Sequence, residues 1–160
     1  MLVRIFILKC NYKYGSDRPK KPNSSDLYEL LRDQKLKELC GETTKVLLLT
    51  DGDKLLSFCT YAEQDDVREP SMTPWIGFVY TFPEYRGNRW AGKLLEYAYM
   101  LAKKDGHKHI YISTGETGLY EKYGYHFLKT MKDIGGEDSR VYVTEIVDKD
   151  YSDVLGSLSA

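Results

Sequence analysis

Short apolar runs separated by turn residues predict a series of β-strands along this chain. The turn Asp51-Gly52-Asp53, which lies between two such runs, is a strong signal for a β-hairpin. The run at 75–82 is rich in aromatic and β-branched residues, which is typical of a buried strand. The predicted strands cover residues 1–10, 45–50, 54–62, 75–82, 109–113, 126–132 and 140–147.

Apolar residues at helical spacing predict three helices between these strands. Asp26 is placed to cap the first helix, with Glu29 as its reciprocal partner, and this helix ends near Gly41. The second and clearest helix begins at Trp90, and a short third helix covers residues 117–123. The apolar face of the second helix consists of Ala91, Leu94, Leu95, Ala98, Leu101 and Ala102.

The order of these elements favours one α/β domain, and 160 residues suffice for a single domain of ordinary size. The strand–helix–strand unit from Trp75 to Ser113 implies a parallel, right-handed crossover, whereas the hairpin and the last two strands imply antiparallel neighbours. We therefore expect an α/β (α+β) fold with a mixed, mostly antiparallel central sheet of about six to seven strands, flanked by about three to four helices. This domain would span residues 1–147, and a short polar tail would follow at 148–160.

Composition restricts the classes of partner. The net charge is −1 and no basic stripe is present, so nothing favours binding to nucleic acid or to an anionic membrane. The apolar N-terminal run is short and lacks a cleavage site, and no run approaches membrane-spanning length, so we expect a cytoplasmic protein. Cys10, Cys40 and Cys59 have neither paired nor metal-ligand spacing, which indicates free thiols and no metal site.

The loop at residues 86–92 has the features of an anion-binding site. It joins the strand at 75–82 to the start of an amphipathic helix, where free N–H groups and the helix dipole favour phosphate. Gly87 and Gly92 allow close backbone approach, and the neighbouring arginines add positive charge. The spacing is neither that of a dinucleotide-binding G-x-G-x-x-G motif nor that of a P-loop.

This stretch resembles a known family. Pro83-Glu84-Tyr85-Arg86-Gly87, followed by Ala91-Gly92-Lys93-Leu94-Leu95, is similar to the acetyl-CoA signature of the GNAT superfamily of N-acyltransferases, Arg/Gln-x-x-Gly-x-Gly/Ala. Arg86 matches its first position and Ala91 its last, whereas Arg89 replaces its middle glycine. The resemblance covers nearly all of residues 1–147 and implies that acetyl-CoA is the co-substrate, held by Arg86, Gly87, Asn88, Arg89, Trp90, Ala91 and Gly92.

A second stretch supports the same resemblance. Gly118-Leu119-Tyr120-Glu121-Lys122-Tyr123-Gly124-Tyr125 resembles the helix Leu-Tyr-x-Lys-x-Gly-Phe of many members, which implies that Tyr120 faces the CoA sulfur and acts as general acid to the thiolate. The asparagine that many members carry upstream is absent here, and Ser113 or Thr114 would take its place. The resemblance implies a bulged strand along the pantetheine arm of CoA. It also implies further cofactor contacts, which would be Val79, Tyr80, Thr81, Ser113 and Tyr123.

The resemblance also implies that a primary amine attacks the thioester directly. The acceptor would be a small-molecule or peptide amine, and the acidic stretch at 63–69 is either a solvated loop or a means of attracting a cationic amine. The general base stays open between water and several carboxylates, while His107 and His109, which flank the start of the fifth strand, are read as surface or packing residues. The candidate carboxylates are Glu63, Asp65, Asp66 and Glu116.

Three alternatives to acetyl transfer remain at this point. One is an enzyme that uses a different acyl-CoA, and another is a catalytically decayed CoA-binding module with a regulatory or interaction role. The third is a structural or interaction protein without a CoA site, in which the tyrosines and tryptophans serve the core. Many members of the superfamily form homodimers, although no repeated apolar surface pattern in this chain requires one.

Overall fold

A computed structural model of the chain describes residues 3–8, 27, 29–31 and 34–147. Its seven strands form one sheet in the order β1-β2-β3-β4-β5-β7-β6. All neighbouring strands are antiparallel except β4 and β5, which confirms the expected mixed sheet. The strands are β1 Val3–Leu8, β2 Lys45–Asp51, β3 Lys54–Ala62, β4 Trp75–Thr81, β5 His109–Thr114, β6 His126–Lys132 and β7 Asp138–Glu145.

Two fully described α-helices, two 3-10 helices and a further helical segment at 27 and 29–31 accompany the sheet in the described part of the chain. Helix α1 is Leu36–Cys40 and helix α2 is Trp90–Lys104, while the 3-10 helices are Pro83–Tyr85 and Tyr120–Tyr123. Of the third predicted helix, at 117–123, only the last turn forms, as the 3-10 helix Tyr120–Tyr123. It ends at Gly124, which has a φ of 88°. None of the helices in this part of the chain is long and apolar enough to span a bilayer.

The first predicted helix is interrupted, which corrects the expectation of one continuous element ending near Gly41. Residues 27 and 29–31 are helical, but Gln34 takes a left-handed φ of 57° before α1 begins. The N–H of Lys35 bonds the Leu30 carbonyl and that of Gln34 bonds Leu31, the pattern of a Schellman helix end. Four sequence predictions lie outside the described residues: the Asp26 cap, the loop at 11–24, Cys10 and the tail at 148–160.

The two faces of the sheet carry separate hydrophobic clusters. On one face, α2 packs its buried Leu94 and Ala98 against strand residues such as Ile76 and Ile112. On the other face, the helical segment that precedes α1, together with α1 itself, packs Leu31 and other apolar residues against the strands. The strand residues of that second cluster are Val46, Phe58, Ala62 and Tyr80.

The sheet opens between its two parallel strands. Only two residue pairs join β4 to β5, Trp75 with Tyr111 and Ile76 with Ile112. Beyond them β5 stays paired with β7 as far as Thr114, whereas β4 stays paired with β3. The edges of β4 and β5 therefore face each other across a gap at their carboxyl ends, where α/β sheets commonly bind ligands.

Candidate active site

The gap between β4 and β5 forms a cavity of about 250 Å³. A β-bulge shapes its β4 wall, because Phe78 and Val79 together lie opposite Cys59 of β3. Phe78 adopts a left-handed φ of 49°, which is uncommon for a side chain of this size. The bulge disrupts the ladder and leaves backbone groups unpaired, as the family resemblance implied. The cavity is lined by Ile76, Gly77, Phe78, Val79, Ile112, Ser113, Thr114, Glu116 and Tyr120.

The loop at residues 86–92 leads directly into the first turn of α2. No side chain caps this fully described helix, and its first turn carries no acidic residue. The first N–H groups of the helix are thus left for an external acceptor, with the positive end of the helix dipole behind them. This arrangement suits the phosphate oxygens of a ligand that continues from the gap.

Arg89 occupies the N-cap position of α2 with φ 59° and ψ 31°, in the left-handed region. This backbone conformation explains why a glycine is usual at this place in the signature, since glycine adopts it without a steric penalty. The guanidinium of Arg89 lies 5.5 Å from the ring centre of Tyr123. An arginine here therefore combines some backbone strain with a positive charge beside the loop at residues 86–92, which we call the phosphate loop after its predicted ligand.

Arg86 and Tyr80 are held together at the end of β4. The Nε group of Arg86 donates a hydrogen bond of 2.8 Å to the Thr81 carbonyl, and its guanidinium lies 5.4 Å from the centre of the Tyr80 ring. The Tyr80 ring is buried against Phe58 and Phe82 on the face opposite α2. Of the three predicted contacts Val79, Tyr80 and Thr81, only Val79 lines the gap, and Tyr80 contributes its side chain to the core.

Gly92 and Tyr123 line a second cavity of about 450 Å³ beside α2. Arg89, Lys93 and Lys122 also line this cavity, and Lys93 is paired there with Glu96 at 3.9 Å. It lies on the same side of the sheet as the start of α2, so a ligand on the phosphate loop can extend into it. The structure thus brings the predicted contacts Arg89, Gly92 and Tyr123 together.

Tyr120 is buried at the start of its 3-10 helix and lines the gap. Burial is the main cause that raises the pKa of its phenol above the ordinary value, and the nearby ionisable groups Glu116, Cys59 and Asp65 raise it further. Within the described residues its hydroxyl has no hydrogen-bond partner. Tyr120 is therefore protonated at neutral pH, with its hydroxyl available to a group in the gap.

Ser113 lies on the β5 wall of the gap, near the position at which many members of the family carry an asparagine. Its hydroxyl shares a hydrogen bond of 2.5 Å with Ser139 of β7. Thr114, the other candidate for this role, accepts a hydrogen bond from the N–H of Glu116. Both side chains line the cavity, and both are already engaged within the chain.

Asp65 lies beside Gly77, one of the residues that line the gap, on the face of the sheet opposite α2. A Cβ built on Gly77 would lie 3.0 Å from Asp65 Oδ2 and 3.1 Å from the Thr60 hydroxyl oxygen. Thr60 lies between Phe58 and Ala62 along β3, and these two residues face the helical segments on the side away from α2. The Asp65 carboxyl therefore rests against the bare backbone of Gly77 at the point where β4 leaves β5.

The other acidic candidates have different surroundings. Glu63 is exposed and accepts hydrogen bonds from the N–H and hydroxyl of Thr43, which lower the pKa of its carboxyl. Glu116 is exposed at the rim of the gap.

His107 lines a separate cavity of about 570 Å³ at the start of β4, and His109 packs near the ring of Tyr111. No group of three or more metal-ligating side chains occurs in the described part of the chain.

Two residues of this site were not singled out from the sequence, Gly77 and Phe78. A lone glycine inside a strand pattern is a recognised sign of a bulge or of close backbone approach, and Gly77 was such a sign. Nothing in the sequence marks Phe78, because its left-handed conformation arises from the register between β3 and β4.

Solved structures of known proteins share the fold of this chain. A GNAT family acetyltransferase from Elizabethkingia anophelis, solved with acetyl-CoA bound, is 17% identical with a TM-score of 0.65, over 90% of this chain and 98% of that one. An acetyltransferase of Bacillus subtilis in complex with CoA is 17% identical with a TM-score of 0.60, over 91% and 99% of the two chains. An aminoglycoside 6'-N-acetyltransferase complexed with coenzyme A is 15% identical with a TM-score of 0.58, over 76% and 83%.

These solved structures show the same fold, while no curated protein matches the chain by sequence. The sequence profile of the acetyltransferase (GNAT) family matches residues 10–125, which is most of the chain and includes the phosphate loop and Tyr120. The chain therefore belongs to the GNAT family of acetyltransferases.

Proposed function

We propose that this protein transfers the acetyl group of acetyl-CoA to a primary amine by direct attack. The observation that carries this proposal is the gap between β4 and β5, which has Tyr120 on its wall and opens at the end of β4, the strand that leads through the loop at 86–92 into the uncapped start of α2. Acetyl-CoA or CoA is bound in solved structures of the same fold, which supports the choice of co-substrate. The acceptor would be a small-molecule or peptide amine.

The phosphate loop would anchor the carrier. The N–H groups at residues 86–92 would bind the pyrophosphate, and Arg86 and Arg89 would add charge beside it. From there the pantetheine arm would enter the gap and run along the bulged part of β4, past Val79. Ser113 would line the opposite wall, and Tyr123 would close the side next to α2.

The bulge and Tyr120 would have separate roles in the reaction, one at the carbonyl oxygen and the other at the sulfur. A backbone N–H released at Phe78 or Val79 would bind the carbonyl oxygen as it gains charge. Tyr120 would act as general acid to the thiolate, donating its proton to the sulfur as the C–S bond breaks. Because burial keeps the phenol protonated, this donor is present over the whole physiological pH range.

Two measurements test the proposal. Acetyl-CoA should raise the unfolding temperature, because a ligand that binds only the folded state stabilises it. Wild-type protein should then release thiol from acetyl-CoA in the presence of at least one amine, with spermidine, kanamycin and L-lysine methyl ester as the probes. Stabilisation without thiol release would favour the alternative, a catalytically decayed CoA-binding regulatory or interaction module. No stabilisation would contradict a CoA site altogether.

A further inference from the structure

Two polar groups approach the gap from opposite faces of the sheet. Tyr120 belongs to the hydrophobic cluster that α2 covers, whereas Asp65 lies beside Thr60 and Gly77 on the other face. An acyl group held in the gap would have Tyr120 on the α2 side, and Asp65 would lie beyond Gly77 on the other side. A nucleophile that approaches from that second side would come close to the Asp65 carboxyl.

We propose that Asp65 binds the ammonium group of the acceptor on this face and takes a proton from it, so that the free amine can attack. This inference rests on the acetyl transfer proposed above and names the base for it. The Asp65 carboxyl has the required access, because Gly77 has no side chain to separate it from the bulged strand. Its Oδ1 accepts a hydrogen bond of 2.9 Å from the N–H of Asp66, and within the described residues Oδ2 has no such partner.

The remaining carboxylates fit this role less well. Glu63 is occupied by Thr43 at 2.6 and 2.7 Å. Glu116 lies on the exposed rim and on the β5 side, beside Tyr120. The N–H of Asp66 donates a hydrogen bond to Asp65 Oδ1, and the carbonyl of Asp66 accepts one from the N–H of Ile134. Of these four candidates, all in the described part of the chain, Asp65 is the one that combines partial burial with contact to β4, the strand that would hold the acyl group.

The surroundings of Asp65 also suit proton transfer near neutral pH. Burial is the main cause that raises the pKa of its carboxyl to about 7, and Asp66 raises it further, whereas Arg68 lowers it. Across the sheet, Asp65 acts on the ionisable phenol of Tyr120 and raises its pKa, as do Glu116 and Cys59. A base with a pKa near the working pH is effective because it is both available and strong enough.

The proposed reaction balances in protons and electrons. The Asp65 carboxylate takes one proton from the ammonium group, and the freed lone pair forms the C–N bond at the thioester carbonyl. The C–S bond then breaks, and the sulfur leaves with the electron pair and takes the Tyr120 proton. The nitrogen gives its second proton to the Tyr120 oxygen, and Asp65 releases the first proton to water.

The test compares the neighbouring variants Asp65→Asn and Asp66→Asn. Thiol release from acetyl-CoA is measured with the most active of the three amines named above, and kcat/KM is followed between about pH 5.5 and 9. For the wild type we expect an inflection near the pKa of Asp65, about 7. Asp65→Asn should lose this inflection and about a hundred-fold in rate, a typical contribution of a general base.

Asp66→Asn should keep its rate, and its inflection should move to lower pH because a negative charge beside Asp65 has been removed. Both variants should still be stabilised by acetyl-CoA, which shows that they fold and bind. An Asp65→Asn variant with the wild-type rate and inflection would overturn the role of Asp65 as the base, while the proposed acetyl transfer would stand. A wild type that releases no thiol with any of the amines would overturn both the proposed function and this inference.

Discussion

Tyr123 packs so closely against Gly92 that a Cβ on the glycine would lie 2.5 Å from Cε1 of the ring. This contact fixes the 3-10 helix Tyr120–Tyr123 against the first turn of α2. The same ring lies under the guanidinium of Arg89. The glycine that ends the phosphate loop thus also sets the distance between this loop and the wall that carries Tyr120.

We expect Gly92→Ala to destabilise the protein and to weaken acetyl-CoA binding. The added methyl group must displace either the Tyr123 ring or the first turn of α2, and overpacking of this kind costs about 1–3 kcal/mol. Thermal unfolding with and without acetyl-CoA measures both effects. Gly115→Ala is the control, because a Cβ there would meet nothing within 4 Å. Equal behaviour of the two variants would show that the Gly92 contact does not position the loop.

Arg89→Gly separates backbone strain from charge at the phosphate loop. Glycine removes the left-handed strain, which is on the order of 1 kcal/mol, but it also removes the guanidinium. We expect unchanged or slightly higher stability and about ten-fold weaker acetyl-CoA binding, since a hydrogen bond to a charged group contributes about 1.5 kcal/mol or more. Calorimetric titration measures the affinity.

Two comparisons make the Arg89 prediction specific. Arg89→Lys keeps the charge and should bind acetyl-CoA more tightly than Arg89→Gly. The difference between the two variants should shrink at high salt, because salt screens an exposed charge. An Arg89→Gly variant with wild-type affinity at low salt would mean that Arg89 serves only to cover Tyr123.

We expect Tyr120→Phe to lower kcat by about a hundred-fold without weakening acetyl-CoA binding. The Tyr120 ring fills a buried position, so phenylalanine preserves its packing, while the hydroxyl has no partner to lose among the described residues. Steady-state thiol release measures kcat. Tyr97→Phe is the control, because Tyr97 is a buried residue of α2 outside the gap. A Tyr120→Phe variant as active as this control would exclude Tyr120 as the proton donor.

The sequence predicted those parts of the molecule that depend on local pattern. The phosphate loop, the start of α2 and Tyr120 each follow from a few neighbouring residues, and the order of strands and helices along the chain follows from the alternation of apolar runs. The pairing of Asp65 with Gly77 does not, since it joins a loop after β3 to the middle of β4 through the register of two strands. The break at Gln34 was missed for a related reason, because its left-handed conformation is rare for glutamine and only the Schellman bonds reveal it.

The Asp65 carboxyl should reduce the stability of the protein at alkaline pH. Its pKa is raised from the ordinary 3.8 to about 7 in the folded state, chiefly by burial. Between these two values the folded protein holds a proton that the unfolded chain has lost, so the free energy of unfolding falls as the pH rises through this window. Above it, the folded state carries the full penalty of a partly buried charge.

We therefore expect Asp65→Asn to be more stable than the wild type at about pH 8, by roughly 1–3 kcal/mol, since each unit of pKa shift corresponds to about 1.4 kcal/mol. Near pH 4 the two proteins should differ little, because the carboxyl is then protonated in the folded state. Thermal unfolding at both pH values measures the difference, with Asp53→Asn in the exposed β2–β3 turn as the control. A variant less stable than wild type at pH 8 would mean that a partner stabilises the Asp65 charge. A stabilised but inactive variant is the result expected if the chain keeps an unfavourable carboxyl at this position because its chemistry requires it.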